Sequence, residues 1–225
     1  DDFARSNPLA VEYARFRAQA LRNGRDFALW PKDDPPPALA DAPAARAYLC
    51  GQWLAADQLD RLAGDSDRAC RLYADWPIGV HRHGFDVWRF GKLFARDINV
   101  GAPPDAFSPN GQDWGFPPIL PEQSRADGHS YFRDTIAANL RAARALRIDH
   151  VMGLHRLLWI PAGAAAAEGA YVRYPTDELY ACVTIEAAKR GATIIGENLG
   201  VVPAEVNRAL SRRGFLSMRV AQFEQ

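Results

Sequence analysis

Two short stretches place a carboxylate at the end of an apolar run. In Arg147-Ile148-Asp149-His150 the run Leu146 to Val151 reads as a strand, and alternation along a strand projects Arg147 and Asp149 from one face. An Arg beside a carboxylate favours its charged form, although the same pair equally suits a structural ion pair at a strand end. In Gly196-Glu197-Asn198-Leu199-Gly200 a second carboxylate follows the apolar Thr193-Ile194-Ile195, between glycines that let backbone or ligand come close. Taken singly, Glu197 fits a charge at a helix N-terminus as well as a catalyst. Jointly, two carboxylates on one rim of a parallel sheet match the needs of glycosidic bond cleavage. One attacks the anomeric carbon or assists water, and the other protonates the leaving oxygen.

A third stretch, Gly101 to Pro117, interleaves Phe107, Trp114 and Phe116 with Asp105, Asn110 and Gln112 among stiff prolines. Flat apolar rings beside hydrogen-bonding groups suit a sugar, which has one apolar face and a rim of hydroxyls. A loop packed on its own small core reads the same way from composition. Other chemistries find no support. His81 and His83 lack a third ligand nearby and read as surface residues, and His150 and His155 miss the i, i+4 spacing of a helical zinc pair. The patterns G-x-S-x-G, G-x-x-x-x-G-K-[ST] and G-x-G-x-x-G do not occur.

The elements that must position these groups follow from periodicity. Apolar spacing near three and four predicts a helix from Pro8 to Arg22 that stops at Gly24. Five prolines between Pro31 and Pro43 make that stretch a surface loop, with a helix from about Ala44 to Leu62 after it. Arg71 to Val80 is expected as a buried strand. From His81 to Gly128 little periodicity remains apart from a short helix near Asp86 to Leu93, so residues 81–128 are expected as a long functional loop. Then come a helix from Ser130 to Ala145, a strand from Leu146 to Val151, a helix from Thr176 to Arg190 and a strand from Ala192 to Glu197. A helix from Pro203 to Arg213 and a strand from Leu216 to Phe223 complete the series. Strand alternating with helix means parallel βαβ units, an α/β fold. The four strands amount to about half of a (β/α)8 TIM barrel with a long inserted βα loop. The expected organisation is a helical subdomain at 1–70 and a partial catalytic barrel at 71–225.

Composition sets the outer bounds. The 225 residues are 48% hydrophobic and 24% charged, ordinary values for a globular chain. Lys plus Arg equals Asp plus Glu at 27 each, so no net field draws in a polyanion, and neither nucleic acid nor an anionic membrane is an expected partner. Cys50, Cys70 and Cys182 form neither a CxxC pair nor an even set, which speaks against a disulfide framework and a zinc site and for a reducing, cytoplasmic setting. No run approaches 18 apolar residues. The chain opens on Asp1 without an initiator Met, and Val220 to Gln225 reads as a strand stopped in mid-course, the pattern of an excised segment.

Four motifs, DWPIGV at 75–80, GAPPDAFSPNGQDWGFPP at 101–118, RIDHVMGL at 147–154 and IIGENLG at 194–200, resemble the 4-α-glucanotransferase (amylomaltase, disproportionating enzyme) family of the α-amylase clan. The resemblance runs in order and spacing from about Ala47 to Gln225. It implies that Asp149 is the nucleophile of a glycosyl-enzyme intermediate and Glu197 the general acid/base. Arg147 and His150 correspond to groups that hold the transferred sugar. Asp105, Gln112 and Trp114 match glucan-contacting positions of the family's long loop. Asn198 stands beside the acid/base where Asp is more familiar. The implied substrate is a maltooligosaccharide or α-1,4-glucan, with no metal or organic cofactor. The family also has a third carboxylate in a later His-Asp motif, and none follows Glu197 within these 225 residues. The sequence thus leads to a glucanotransferase segment expected to be inactive by itself, with a hydrolase of the same clan or a glucan-binding fragment as the alternatives.

Overall fold

A computed structural model of the chain describes residues 2–64 and 71–223. The junction expected at residues 70 and 71, and Cys70 with it, borders or lies outside these residues. The chain divides into two compact units, residues 1–64 with 83–91, and residues 65–82 with 92–225. Residues 83–91, expected from sequence in the long loop of the second unit, thus belong to the first.

The first unit is helical: α1 (Asp2–Ser6), α2 (Pro8–Asn23), α3 (Pro43–Gly64) and α4 (Phe85–Arg89). Pro8 fits the first turn of α2, where its missing N–H costs nothing, and Gly24 ends the helix with φ 88°. The proline-rich stretch after it cannot donate from its prolines, and its carbonyls still need partners. Arg15 supplies two, donating to the carbonyls of Pro36 and Pro37 at 2.8 Å each. Phe16 on α2 gathers Trp30, Phe85 and Trp88 around it, with ring centroids 5.2–5.7 Å away.

The second unit holds two sheets. Its strands are β1 (Leu72–Trp76), β2 (Ile98–Ala102), β3 (Gln112–Asp113), β4 (Ala143–Ile148), β5 (Arg156–Pro161), β6 (Ala170–Arg173), β7 (Thr193–Gly196) and β8 (Leu216–Ser217). Its helices are α5 (Pro121–Ala126), α6 (Ser130–Asn139), α7 (Thr176–Arg190) and α8 (Ala204–Arg212). One sheet runs in the order β1-β4-β7-β8 with every pair parallel. Its strands lie near the runs expected at 71, 146, 192 and 216 with different bounds: β4 overlaps its run only over residues 146–148, β8 is much shorter than its run, and β1 ends at Trp76 with its side chains half-buried or exposed rather than buried. One face is closed by helices: Leu146, Ile148 and Ile194 pack in a single core with Ile136, Leu140, Tyr180, Val183, Val206 and Leu210. Val206, Ala209 and Leu210 follow the three-and-four spacing of an amphipathic stripe, and all are buried. Register puts Tyr73, Asp75, Arg147, Ile195 and Leu216 in rows on the opposite face, where Tyr73 is 57% and Leu216 54% exposed.

Part of the segment expected as one long loop, residues 98–102 and 112–113, is ordered by pairing. The second sheet runs β3-β2-β5-β6, all antiparallel, so the connection after β1 and the connection after β4 zip together, with Val100 opposite Trp159 and Gly101 opposite Leu158. Gly101 permits this closeness, since a Cβ there would fall inside 3 Å of the Gln112 carbonyl and the Ile160 side chain. Helix α6 also ends at Asn139, and β4 begins at Ala143, earlier than the expected 146. Among the described residues no helix is long and apolar enough to cross a membrane.

Candidate active site

The ladder of the parallel sheet continues one residue past its strands. Asp149 donates its N–H to the Trp76 carbonyl at 3.0 Å, and Glu197 donates its own to the Ile148 carbonyl at 2.9 Å. Asp149 and Glu197 therefore each sit one step beyond the C-terminal ends of neighbouring strands β4 and β7, on the same edge of the sheet. The carbonyl of Glu197 in turn accepts from Val151 N–H at 2.9 Å, which ties the start of the turn after β4 to the end of β7.

Arg147 works as a fork between two carboxylates. Its Nη2 donates to Asp149 Oδ1 at 2.6 Å and its Nη1 to Asp75 Oδ1 at 2.7 Å, while Nε faces the Met218 sulfur at 3.3 Å. The register explains the choice of partner, because Asp75 lies directly opposite Arg147 across β1 and β4. Burial opposes the guanidinium charge, and the hydrogen bonds to Asp75 and Asp149 outweigh it, so its pKa is raised above the usual arginine value. A permanent positive charge thus stands against Asp149.

Glu197 is held by main-chain donors. Oε2 accepts from His150 N–H and Oε1 from Leu199 N–H, each at 2.9 Å, which fixes the carboxyl plane. His150 adopts φ 47°, a left-handed conformation that a residue with a Cβ takes up at some cost and that concentrates at functional sites. Its ring meets Trp114 edge-on at 5.1 Å and 78°. Burial pushes the imidazole below its ordinary pKa despite the pull of Glu197 and Asp149 the other way, so it is neutral near pH 7.

The aromatic side of the site comes from the first connection. Trp114 donates its indole N–H to Gln112 Oε1 at 2.9 Å and stacks on Phe116 at 6.1 Å and 28°. Asp105 is engaged elsewhere: Oδ1 accepts from the amides of Phe107 and Ser108 in an exposed turn, so its carboxylate braces the loop tip rather than joining this cluster. Asn198 also faces away from the carboxylates. Its amide donates to Asn207 on α8 at 2.8 Å, and its Oδ1 accepts from Met218 N–H at 3.1 Å, anchoring the residue that touches Arg147.

Of the eight residues singled out from sequence, Arg147, Asp149, His150, Glu197, Trp114 and Gln112 form one connected set. Asn198 joins it through Met218, and Asp105 stands apart. Asp75 and Met218 are site residues that sequence reasoning misses, while Phe116, picked out from composition with Phe107 and Trp114, joins the set by stacking on Trp114. Asp75 had a signal, since it lies near the end of the first apolar strand as Asp149 does for the next. Among the described residues no group of three His, Cys, Asp or Glu side chains stands ready for a metal ion, and His83 lies 3.0 Å from Asp26.

With this geometry in hand, comparison decides the family. The sequence model of the 4-alpha-glucanotransferases matches residues 1–225. The chain belongs to that family. The 4-alpha-glucanotransferase of Mycobacterium tuberculosis is 38% identical across 95% of this chain and 31% of its own length. That of Haemophilus influenzae is 43% identical across 77% of this chain and 25% of its own. The chain therefore spans about a third or less of these relatives. Among solved structures, amylomaltase from Corynebacterium glutamicum superposes with a TM-score of 0.83 at 30% identity, covering 96% of this chain and 30% of that one. Amylomaltase from Streptococcus agalactiae in complex with acarbose gives 0.85 at 26% identity, covering 99% and 48%. Membership of the family rests on the whole chain and so includes the helical unit, which carries none of the site residues.

Proposed function

We propose that the protein carrying this chain is a retaining 4-α-glucanotransferase that moves α-1,4-glucan segments between maltooligosaccharides. The observation that carries the reading is the pair of carboxylates at adjacent strand ends, one against a forked guanidinium and the other gripped by two backbone N–H groups. Asp149, free of its own proton, attacks the anomeric carbon while Glu197 gives its proton to the departing O4, and the bond between that carbon and O4 breaks. In the second half Glu197 takes the proton of an acceptor 4-hydroxyl as that oxygen displaces Asp149 from the same carbon. Arg147 holds Asp149 in line. His150, neutral, offers a hydrogen bond to the sugar without adding charge, and Trp114 over Gln112 supplies a flat face that keeps water from competing with the acceptor. Asn198 supports this indirectly, and Asp105 shapes the loop tip over which longer glucans pass. No metal or organic cofactor enters either step.

The parallel sheet is read as four strands of a (β/α)8 barrel, whose carboxylates would sit on the C-terminal rim. Support comes from the uniform parallel order and from Tyr73, Ile195 and Leu216, which share the face opposite the helix-packed core, suited to a barrel interior. Product analysis on maltotriose tests the reading. Transfer yields glucose together with longer glucans, whereas glucose and maltose alone would mean hydrolysis. For the 225-residue polypeptide by itself we expect no turnover, because the family's third carboxylate has no counterpart after Glu197 and the Tyr73 face stays open. Self-association through that face should accompany it. A monodisperse monomer that disproportionates maltotriose would overturn that expectation.

A further inference from the structure

We infer that Gly79 is a positioning residue for the aromatic wall of the site: its missing side chain is the space in which the Phe116 ring lies. This rests on the glucanotransferase reading for its kinetic consequence and on geometry alone for its structural one. Gly79 follows β1 in DWPIGV and has no left-handed φ, so nothing in its backbone calls for glycine. Its surroundings do. A Cβ built on Gly79 would stand 2.5 Å from Phe116 Cε2, 2.8 Å from Cγ and closer still to Cδ2, all inside the distance that real Cβ atoms keep.

The ring cannot escape by sliding its chain. Val100 N–H donates to the Phe116 carbonyl at 3.0 Å and the Val100 carbonyl accepts from Trp114 N–H at 2.9 Å, so β2 grips the segment on both sides of Gly115. Buried Pro117 and Pro118 follow directly. A side chain at 79 must therefore turn the Phe116 ring itself. That ring stacks on Trp114, Trp114 meets His150, and His150 N–H holds Glu197. Position 79 thereby sets where the indole face lies, and with it how a sugar is received, while Asp149 and Glu197 keep their own main-chain anchors at the strand ends.

The experiment, in the whole protein carrying this chain, is a double-mutant cycle of Gly79→Ala with Phe116→Leu, whose shorter side chain vacates the contested space. Gly79→Ala alone should raise KM for maltotriose about 3- to 10-fold, the range set by an aromatic contact, with kcat changed less than about twofold. In the Phe116→Leu background the same substitution should move KM by less than about twofold. Tm should follow the same pattern, falling by several degrees in the first background and little in the second. A general loosening of the turn after β1 would leave both effects undiminished in the Phe116→Leu background, and that result overturns the inference, as does an unchanged KM and Tm in Gly79→Ala. If Gly79→Ala does not accumulate as folded protein, the double variant decides: a folded double variant supports the coupling and an unfolded one overturns it. Should the wild-type protein carrying this chain, rather than the 225-residue polypeptide alone, transfer no glucan at all, the proposed activity falls, and the Tm cycle still tests the coupling of Gly79 to Phe116.

Discussion

Replacing Arg147 by Lys keeps the charge and removes the fork. A hydrogen bond between charged partners contributes about 1.5–3 kcal/mol when sheltered, but the two arms of Arg147 are not equally sheltered. The Asp75 side chain is 64% exposed, so that arm belongs with surface pairs, worth about 0–1 kcal/mol. Asp149 is 33% exposed and Arg147 22%, and discounting for this solvent access leaves about 1–2 kcal/mol on the Asp149 arm. A lysine ammonium, a compact point donor, cannot satisfy both carboxylates in this geometry. If the Asp149 arm orients the nucleophile for attack, losing it should slow transfer by about 5- to 30-fold, at about 1.4 kcal/mol per factor of ten. Asp75→Asn should cost no more than about threefold, since only the exposed arm weakens. Initial rates of glucose release from maltotriose for the two variants of the whole protein carrying this chain check this directly. An Arg147→Lys variant within about twofold of wild type, or an Asp75→Asn loss as deep as that of Arg147→Lys, would refute the claim that Arg147 acts chiefly through Asp149.

Three further outcomes are expected. In the whole protein carrying this chain, Asp149→Asn should lower transfer by at least about 10³-fold while maltooligosaccharide binding by calorimetry changes little, because shape is kept and the nucleophile is lost. Stability should fall as pH drops below about 6.5. Burial holds His150 and His155 below their ordinary pKa, so the unfolded chain takes up protons first and is favoured as they become available. Thermal melts between about pH 7.5 and 5.5 should show the decline, with a shallower slope in His150→Asn; a flat Tm across that window contradicts the assignment. Gly196→Ala should destabilise by about 1–3 kcal/mol, since its Cβ would meet Leu210 at 2.9 Å and Val151 at 3.1 Å in the core, and urea denaturation reads the change.

What could be read from sequence divides along the range of the interactions involved. The parallel strands announce themselves as apolar runs because β1, β4 and β7 pack a face against local helices, and the carboxylates at the ends of β4 and β7 stand next to motif glycines and Arg147. The antiparallel sheet is harder to read, although β5 contains the apolar run Leu157 to Ile160. Strand β2, Ile98-Asn99-Val100-Gly101-Ala102, is short and carries a glycine, and its partner β5 comes from beyond β4, so β2 cannot be seen alone and the pairing is not written in either segment. Pairing creates the order, and pairing is non-local. The same holds for the site. Asp149 and Glu197 could be picked out by type and spacing, whereas Asp75 becomes a partner of Arg147 only once β1 and β4 are set in register. Asp105, chosen for its chemistry, is drawn away by the nearer amides of Phe107 and Ser108, a local capping interaction that a carboxylate two residues upstream makes readily. A motif therefore names the groups able to react, and strand register, which no single motif contains, selects the neighbours that hold them in place.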